Sequence, residues 1–185
     1  MSIYRKLAEI GPRYFPRHKL FKYGFNWSPM YSRTTARITS VSKDLKEIHI
    51  RLPINYKNRN YANTIFGGSM FASVDPIPMT QLINLIGKDY VVWDKSAEIK
   101  FKKPANVDLY AEFIYTDDEI DNIRQQVSEQ NEVEIVKETL LRDQKRQTVY
   151  CQVLKTIYIA DKTFFKEKQA KRAAKKSVTA GASSK

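Results

Sequence analysis

The sequence contains few of the residues that metal-dependent and disulfide-bonded proteins need. Its 185 residues include one cysteine, Cys151, so no intrachain disulfide can form. The two histidines, His18 and His49, are far apart, and no cysteine–histidine spacing typical of a zinc site occurs. The sequence therefore predicts no metal site and no cofactor, and Cys151 is interpreted as inert packing.

Long apolar runs and nucleotide-binding motifs are also missing. No run approaches the roughly 20 apolar residues that span a bilayer. No apolar signal segment is present at residue 1, so a cytoplasmic location is expected. No glycine-rich phosphate loop and no Gly-x-Ser-x-Gly motif occurs, which argues against the common nucleotide-binding and serine-hydrolase classes.

What the chain has in excess is positive charge, with a formal net charge of +12. The segment 161–185 alone holds eight Lys or Arg against two acidic residues. Such a segment attracts nucleic acid or an anionic membrane, or it is a solvated, flexible tail. The second interpretation is favoured. Aromatic and basic residues are also interleaved over 13–29. They either cover an apolar face of the main domain or, as the alternative, stack on single-stranded nucleic acid.

The hydrophobic pattern predicts one α+β domain with a short helix over 1–10 before it. Clean alternation predicts strands at 46–52, 91–102 and 107–115, and two more at 132–141 and 147–160; a Thr-rich segment adds one at 31–42. In 91–102 the pattern places Trp93, Ala97, Ile99 and Phe101 inward and Asp94 outward. The most apolar segment, 69–86, predicts a buried helix that Pro76 and Pro78 kink or break, and a short amphipathic helix is expected at 117–129 with Thr116 as its N-cap.

The central stretch of the chain combines a glycine pair with an acid in apolar surroundings. Gly67 and Gly68 begin the apolar helix, and Asp75 follows about two turns later. A helix N-terminus that begins at glycine can hold a carbonyl oxygen or an anion. An acid among apolar residues is costly unless it is paired or functional. The alternative interpretation is a tight turn at the glycines and a helix end at Asp75.

Two landmarks resemble those of a known family. The run Phe66-Gly67-Gly68-Ser69-Met70-Phe71-Ala72-Ser73-Val74-Asp75 resembles the His-Gly-Gly…Asp signature of the hotdog-fold thioesterases of the phenylacetate-degradation (PaaI-like) type. The strand that ends in Phe101-Lys102-Lys103-Pro104-Ala105 resembles their Phe-x-x-Pro-Ala landmark. With the element order, the likeness covers 31–160 and looks closest to a bacterial branch described as domains of unknown function. It leaves 1–30 as an N-terminal helical and aromatic extension and 161–185 as the basic tail.

This resemblance implies a fold, an assembly and a site. The fold is a curved antiparallel sheet wrapped around a central buried helix, in a homodimer or homotetramer with the site at the subunit interface. The Gly68 N–H would polarise the thioester carbonyl, and Asp75 from the other subunit would act as general base or nucleophile. Gly67, Phe66, Asn60 and Asn63 would line the substrate site. Lys95, Lys102 and Lys103 are weaker candidates, which would contact a phosphorylated carrier or, as the alternative, form solvated surface.

One departure from the family keeps two functions open. The histidine that usually precedes the glycine pair is Phe66 here. The expected activity is hydrolysis of acyl-CoA or a related acyl thioester, and the alternative is a non-catalytic protein that binds acyl thioesters or fatty-acyl groups. Asn60 and Asn63 also have a purely structural interpretation as turn-forming residues.

Overall fold

The structure of the protein, a computed structural model, describes residues 15–182 and the side chains of 15–173. The predicted helix over 1–10 lies outside the described residues. The helices are α1 (Arg17–Trp27), α2 (Pro29–Ser32), α3 (Gly67–Val74), α4 (Pro76–Ile86), α5 (Asp117–Gln130) and α6 (Lys162–Ala182). The strands are β1 (Arg37–Val41), β2 (Glu47–Leu52), β3 (Tyr90–Phe101), β4 (Leu109–Ile114), β5 (Glu132–Arg142) and β6 (Val149–Asp161).

The six strands form one antiparallel sheet in the order β1-β2-β4-β5-β6-β3. The pairing between β4 and β5 is limited to Tyr110 opposite Arg142, whereas β6 is paired along its length with both β5 and β3. Helices α3 and α4 bury their apolar side chains against the inner face of this sheet. The predicted α+β class and the hotdog fold, a curved sheet around a central helix, are confirmed.

The central helical segment begins and breaks where the sequence predicts. Helix α3 begins at Gly67, with Phe66 as its N-cap. Proline has no backbone N–H to donate to the preceding helical turn, and α4 accordingly begins at Pro76. Asp75 between the two helices keeps right-handed helical dihedral angles, so α3 and α4 follow one another almost without a gap. Gly87 ends α4 with φ 114°, a conformation that favours glycine.

Hydrogen bonds from the surrounding elements fix the broken helical segment. The Tyr31 hydroxyl donates to the carbonyl of Ser73, and the Tyr115 hydroxyl donates to the carbonyl of Pro78. Gln81, which is fully buried, donates to the carbonyl of Leu45. These bonds satisfy polar groups that the low-dielectric core would otherwise leave unpaired.

Several other sequence predictions are confirmed. Strand β2 buries Ile48, Ile50 and Leu52, as its alternation indicates. Helix α5 begins after Thr116, whose side chain accepts a hydrogen bond from the Glu119 backbone N–H. Cys151 lies in the core, where burial raises the pKa of its thiol to about 11, which agrees with inert packing.

The strand predicted at 31–42 is confirmed only over 37–41, and the strand predicted from residue 107 begins at Leu109. Strand β1 begins only at Arg37, because Pro29 begins the short helix α2, in which Tyr31 is fully buried. Thr35 then adopts a positive φ before the strand. Val107 precedes β4 and remains 39% exposed, so it does not belong to the inward face.

The inward face predicted for β3 was wrong in part, because the strand contains a bulge. Asp94 lies opposite Ile157 on β6, but Ser96 lies opposite Thr156, so Lys95 is an extra residue. One extra residue reverses the alternation. Asp94 therefore faces inward with Ile157, whereas Trp93 faces outward and stacks on Tyr158. Ala97 and Phe101 share the inner face but are exposed, because β3 is the last strand of the sheet.

The basic segment after β6 forms helix α6, which the sequence did not predict. Its start lies over the outer face of the sheet, where the Phe165 ring meets Trp93 edge-on. Lys168 forms an ion pair with Glu132 at 2.5 Å. Within residues 15–182, no helix is both long enough and apolar enough to cross a membrane.

Candidate functional site

The N-terminus of α3 has two free backbone donors. The Phe66 side chain provides no capping hydrogen bond, and the first helical bonds are donated by Ser69 and Met70 to the Phe66 carbonyl. Neither the Gly67 N–H nor the Gly68 N–H donates to any of the residues that the structure describes. These two groups also carry the positive end of the helix dipole. They could therefore donate hydrogen bonds to a carbonyl oxygen or an oxyanion.

Two aromatic rings lie directly against the glycine pair. A Cβ atom on Gly67 would lie 2.8 Å from Cζ of Phe101, and one on Gly68 would lie 2.3 Å from Cε1 of Phe66. Both rings are more than half exposed. A side chain at either glycine would therefore displace one of these rings, and the free donors lie beside exposed apolar surface.

The loop before the helix is held by its own asparagines. The Asn60 side chain accepts hydrogen bonds from the backbone N–H groups of Ala62 and Thr64 and donates to the Thr64 hydroxyl. Asn63 is exposed and adopts φ 61°, a left-handed conformation that asparagine tolerates. These contacts agree with the turn-forming interpretation, and a substrate contact by either residue stays a prediction.

The two landmarks of the sequence resemblance meet in the structure. The Ile65 N–H, just before the glycine pair, donates to the carbonyl of Ala105 at 2.8 Å. Phe101, at the end of β3, contacts Gly67. Lys102 and Lys103 follow Phe101, are exposed, and form no ion pair with the residues that the structure describes. Lys95 lies further along β3 and pairs with Glu134.

A cluster of three charged side chains lies at the break between α3 and α4. Lys155, on the inner face of β6, forms an ion pair with Asp75 and a second one with Asp94 at 2.7 Å. Its ammonium also donates to the backbone carbonyl of Asp75. The exposed fraction of the side chain is 3% for Lys155, 25% for Asp94 and 41% for Asp75. The cluster is therefore buried at its lysine and open at Asp75.

The electrostatics of the cluster are not balanced. It contains two carboxylates and one ammonium, and Oδ1 of Asp94 is buried with no hydrogen-bond partner in the part of the chain that the structure describes. Burial raises the pKa of Asp94 above its ordinary value; the Lys155 ammonium opposes this shift and the charge of Asp75 adds to it. Asp94 is therefore the carboxylate that resists ionisation in this cluster.

Asp75 and Gly68 of the same subunit are separated along the helical segment. At a rise of about 1.5 Å per residue, the two residues lie about 10 Å apart along the helix axis. Reacting atoms approach to about 3–3.5 Å, and a general base can act through one water. The separation within one subunit is therefore long for two groups that act on one thioester.

The sequence contained a signal for Lys155 but not for Asp94. Lys155 falls in phase with the inward residues Val153 and Ile157, so its position on the buried face can be read from the alternation of β6. Asp94 was assigned to the outer face, because the uninterrupted pattern of β3 gives no sign of the bulge.

Among the residues whose side chains are described, no group of three or more His, Cys, Asp or Glu residues could hold a metal ion.

The family is identified by sequence. A sequence model of the family described as a domain of unknown function (DUF4442) matches residues 17–159, which includes the glycine pair and all three residues of the cluster. The chain belongs to this family. A search of curated proteins finds no match to the sequence.

Solved structures with the same fold include proteins described as thioesterases. A Pseudomonas aeruginosa protein of unknown function, described as a probable thioesterase, superposes with a TM-score of 0.68 at 16% identity, over 77% of this chain and 95% of that chain. A Haemophilus influenzae thioesterase gives 0.58 at 12% identity, over 78% and 90%. A Chlorobaculum tepidum protein of unknown function gives 0.62 at 15% identity, over 78% and 94%. At these identities the likeness establishes the hotdog fold of this DUF4442 protein.

Proposed function

We propose that the protein hydrolyses acyl-CoA or related acyl thioesters. The observation that carries the proposal is the Asp75 carboxylate. It lies at the break of the central helical segment, is partly open to solvent and is held by the buried Lys155. The protein shares its fold with proteins described as thioesterases. The free N–H groups of Gly67 and Gly68 supply the second requirement, a donor for the charge that develops on the carbonyl oxygen.

The proposed reaction uses groups from two copies of the chain. The Gly68 N–H of one subunit polarises the thioester carbonyl, and Asp75 of the other takes a proton from water as the water oxygen bonds to the carbonyl carbon. The C–S bond then breaks, and the thiolate leaves with a proton as the thiol. Direct attack by the Asp75 carboxylate is the other route, in which water hydrolyses the resulting anhydride.

Strand β3 is the surface on which we propose that the two copies meet. It ends the sheet, is twelve residues long and is exposed over most of its length, including Phe101. A long exposed edge strand pairs readily with another chain. Lys102 and Lys103 follow it beside the α3 N-terminus, where their charge would suit the phosphates of a CoA-type carrier.

The test is thiol release from short, long and aromatic acyl-CoAs by the wild type and by Asp75→Asn. Turnover should fall by about two orders of magnitude in the variant, because loss of a general base typically costs that much. Asp121→Asn is the matched control, since Asp121 is an exposed carboxylate that pairs with Arg124 on α5. Turnover unchanged in Asp75→Asn would overturn the assignment of Asp75. If the wild type turns over no substrate, the proposed thioesterase activity is overturned.

A second candidate function is binding of acyl thioesters without hydrolysis. The observation that favours it is the Phe66 ring, which packs against Gly68 at the position where the PaaI-like thioesterases that the sequence resembles have histidine. A phenyl ring supplies apolar contact but no proton donor. This candidate requires saturable acyl-CoA binding with no thiol release by the wild type, and thiol release that appears in Phe66→His but not in Phe66→Leu.

A further inference from the structure

Lys155 differs from every other charged residue that the structure describes. Over residues 15–173 it is the only charged residue in the buried core, with 2% of its surface exposed. A buried ammonium is costly unless acceptors surround it. Lysine has three donors, and each has an acceptor here: the Asp75 carboxylate, the Asp75 backbone carbonyl and the Asp94 carboxylate.

The contact with Asp75 is made at two points. One donor of Lys155 binds the carboxylate and another binds the carbonyl of the same residue, at the position where Pro76 begins α4. Two contacts to one residue fix its side chain relative to its backbone. The Asp75 carboxylate, although 41% exposed, is therefore held in one direction rather than free to rotate.

Asp94 also forms an ion pair with the Lys155 ammonium. The bulge at Lys95 directs Asp94 inward, where its carboxylate lies 2.7 Å from Nζ of Lys155. Two carboxylates then share one cation, so Asp75 is oriented by Lys155 without being its only counter-ion. A carboxylate that must accept a proton needs both this orientation and this remaining negative charge.

We propose that Lys155 is the positioning residue of Asp75 and that Asp94 anchors Lys155 for that task. The inference rests on the proposed thioester hydrolysis and deepens it. Lys155 touches no reacting atom in this account and acts through Asp75. Loss of the Lys155 ammonium should therefore lower kcat only while the Asp75 carboxylate is present.

The test is a double-mutant cycle in kcat and KM with Lys155→Met, Asp75→Asn and the combination of both. Lys155→Met should lower kcat by about tenfold to 100-fold, because misplacing a reacting group by 1 Å can cost that much. It should change KM less than kcat, and it should cause no further loss of kcat in the Asp75→Asn background. An equal fold loss in both backgrounds would overturn the proposal.

Two further variants separate positioning from general damage to the core. Lys155→Arg keeps the positive charge and several donors, so it should retain more of kcat than Lys155→Met. Lys137→Met is the matched control, because Lys137 lies directly opposite Lys155 on β5, faces the same side and pairs with Glu119 instead. A loss of kcat in Lys137→Met as large as in Lys155→Met would overturn the specific role.

Urea unfolding of the same variants tests the contact without any turnover. If Lys155 holds Asp75, the shift in the unfolding midpoint caused by Lys155→Met should be smaller in the Asp75→Asn background than in the wild type. Equal shifts in the two backgrounds would overturn the proposal even for an active enzyme. If the shifts differ between the two backgrounds but the protein releases no thiol, the contact between Lys155 and Asp75 stands. The proposed hydrolysis and the catalytic role of the contact are then overturned.

Discussion

At the residue scale, the charged cluster combines a cost to stability with the positioning role that we propose for it. Asp94 lies in a largely buried position, and one of its oxygens has no partner among the residues that the structure describes. Asp75 and Asp94 share a single ammonium. Such an arrangement is typical of functional sites, where charges are placed for chemistry at the expense of the fold.

Asp94→Asn should therefore stabilise the protein at neutral pH. The raised pKa of Asp94 means that the folded state binds this proton more tightly than the unfolded chain does. Stability falls as pH rises through the folded-state pKa, because the native carboxylate then ionises at a cost. The variant lacks this cost, so its gain should grow as pH rises through the folded-state pKa of Asp94 and should vanish at acid pH, where Asp94 is protonated in both states.

Urea unfolding of Asp94→Asn and the wild type at several pH values measures this difference. Asp121→Asn controls for the removal of one negative charge at an exposed position. A variant that is less stable than the wild type at pH 7 would contradict the account, because it would mean that the Lys155 pair outweighs the cost of burial.

At the scale of the elements, the bulge in β3 decides which residues enter the site. Asp94 and Ala97 are three residues apart, so a regular alternation cannot place both on the inner face, whereas the bulge does. The Lys95 side chain is itself about half exposed and pairs with Glu134. The Lys95 side chain is therefore not part of the cluster.

Deletion of Lys95 should be tolerated nearly as well as Lys95→Ala. Asp94 already lies opposite Ile157 and Ser96 opposite Thr156, so the deletion turns the bulge into a regular alternation that keeps Asp94 on the inner face. Both variants then remove only a surface pair, worth about 1 kcal/mol or less. A free energy of unfolding in urea that is much lower for the deletion than for Lys95→Ala would contradict this account of the register.

The same element explains where sequence analysis succeeded and where it failed. Strand β2 and the break after Asp75 follow from local signals, namely strict alternation and a proline that cannot donate. The glycine pair likewise indicated the helix start. The inward orientation of Asp94 has no local signal, because a bulge is defined by the pairing with the neighbouring strand, here β6. The buried Lys155 was visible in the alternation but could not be linked to Asp75 without the fold.

At the scale of the whole molecule, one chain contains both groups of the proposed site but keeps them apart. Gly68 and Asp75 lie about 10 Å apart along the helical segment. The edge strand β3 ends at Phe101, beside the α3 N-terminus, and is exposed over most of its length. We therefore propose that one subunit's Gly68 and the other's Asp75 hydrolyse one thioester.

Subunit complementation tests this claim most directly. Asp75→Asn and Gly68→Pro are each purified and then mixed, unfolded and refolded together. Proline at 68 removes the backbone N–H that polarises the carbonyl, and the first turn of a helix tolerates proline because that N–H makes no helical bond. Each mixed dimer has one site with both residues intact and one site with neither. In a symmetric dimer, statistical mixing then predicts about one quarter of the wild-type rate of thiol release, well above either parent. A refolded mixture no more active than the average of its two parents would contradict the account, because it would show that both residues act within one subunit or do not act together.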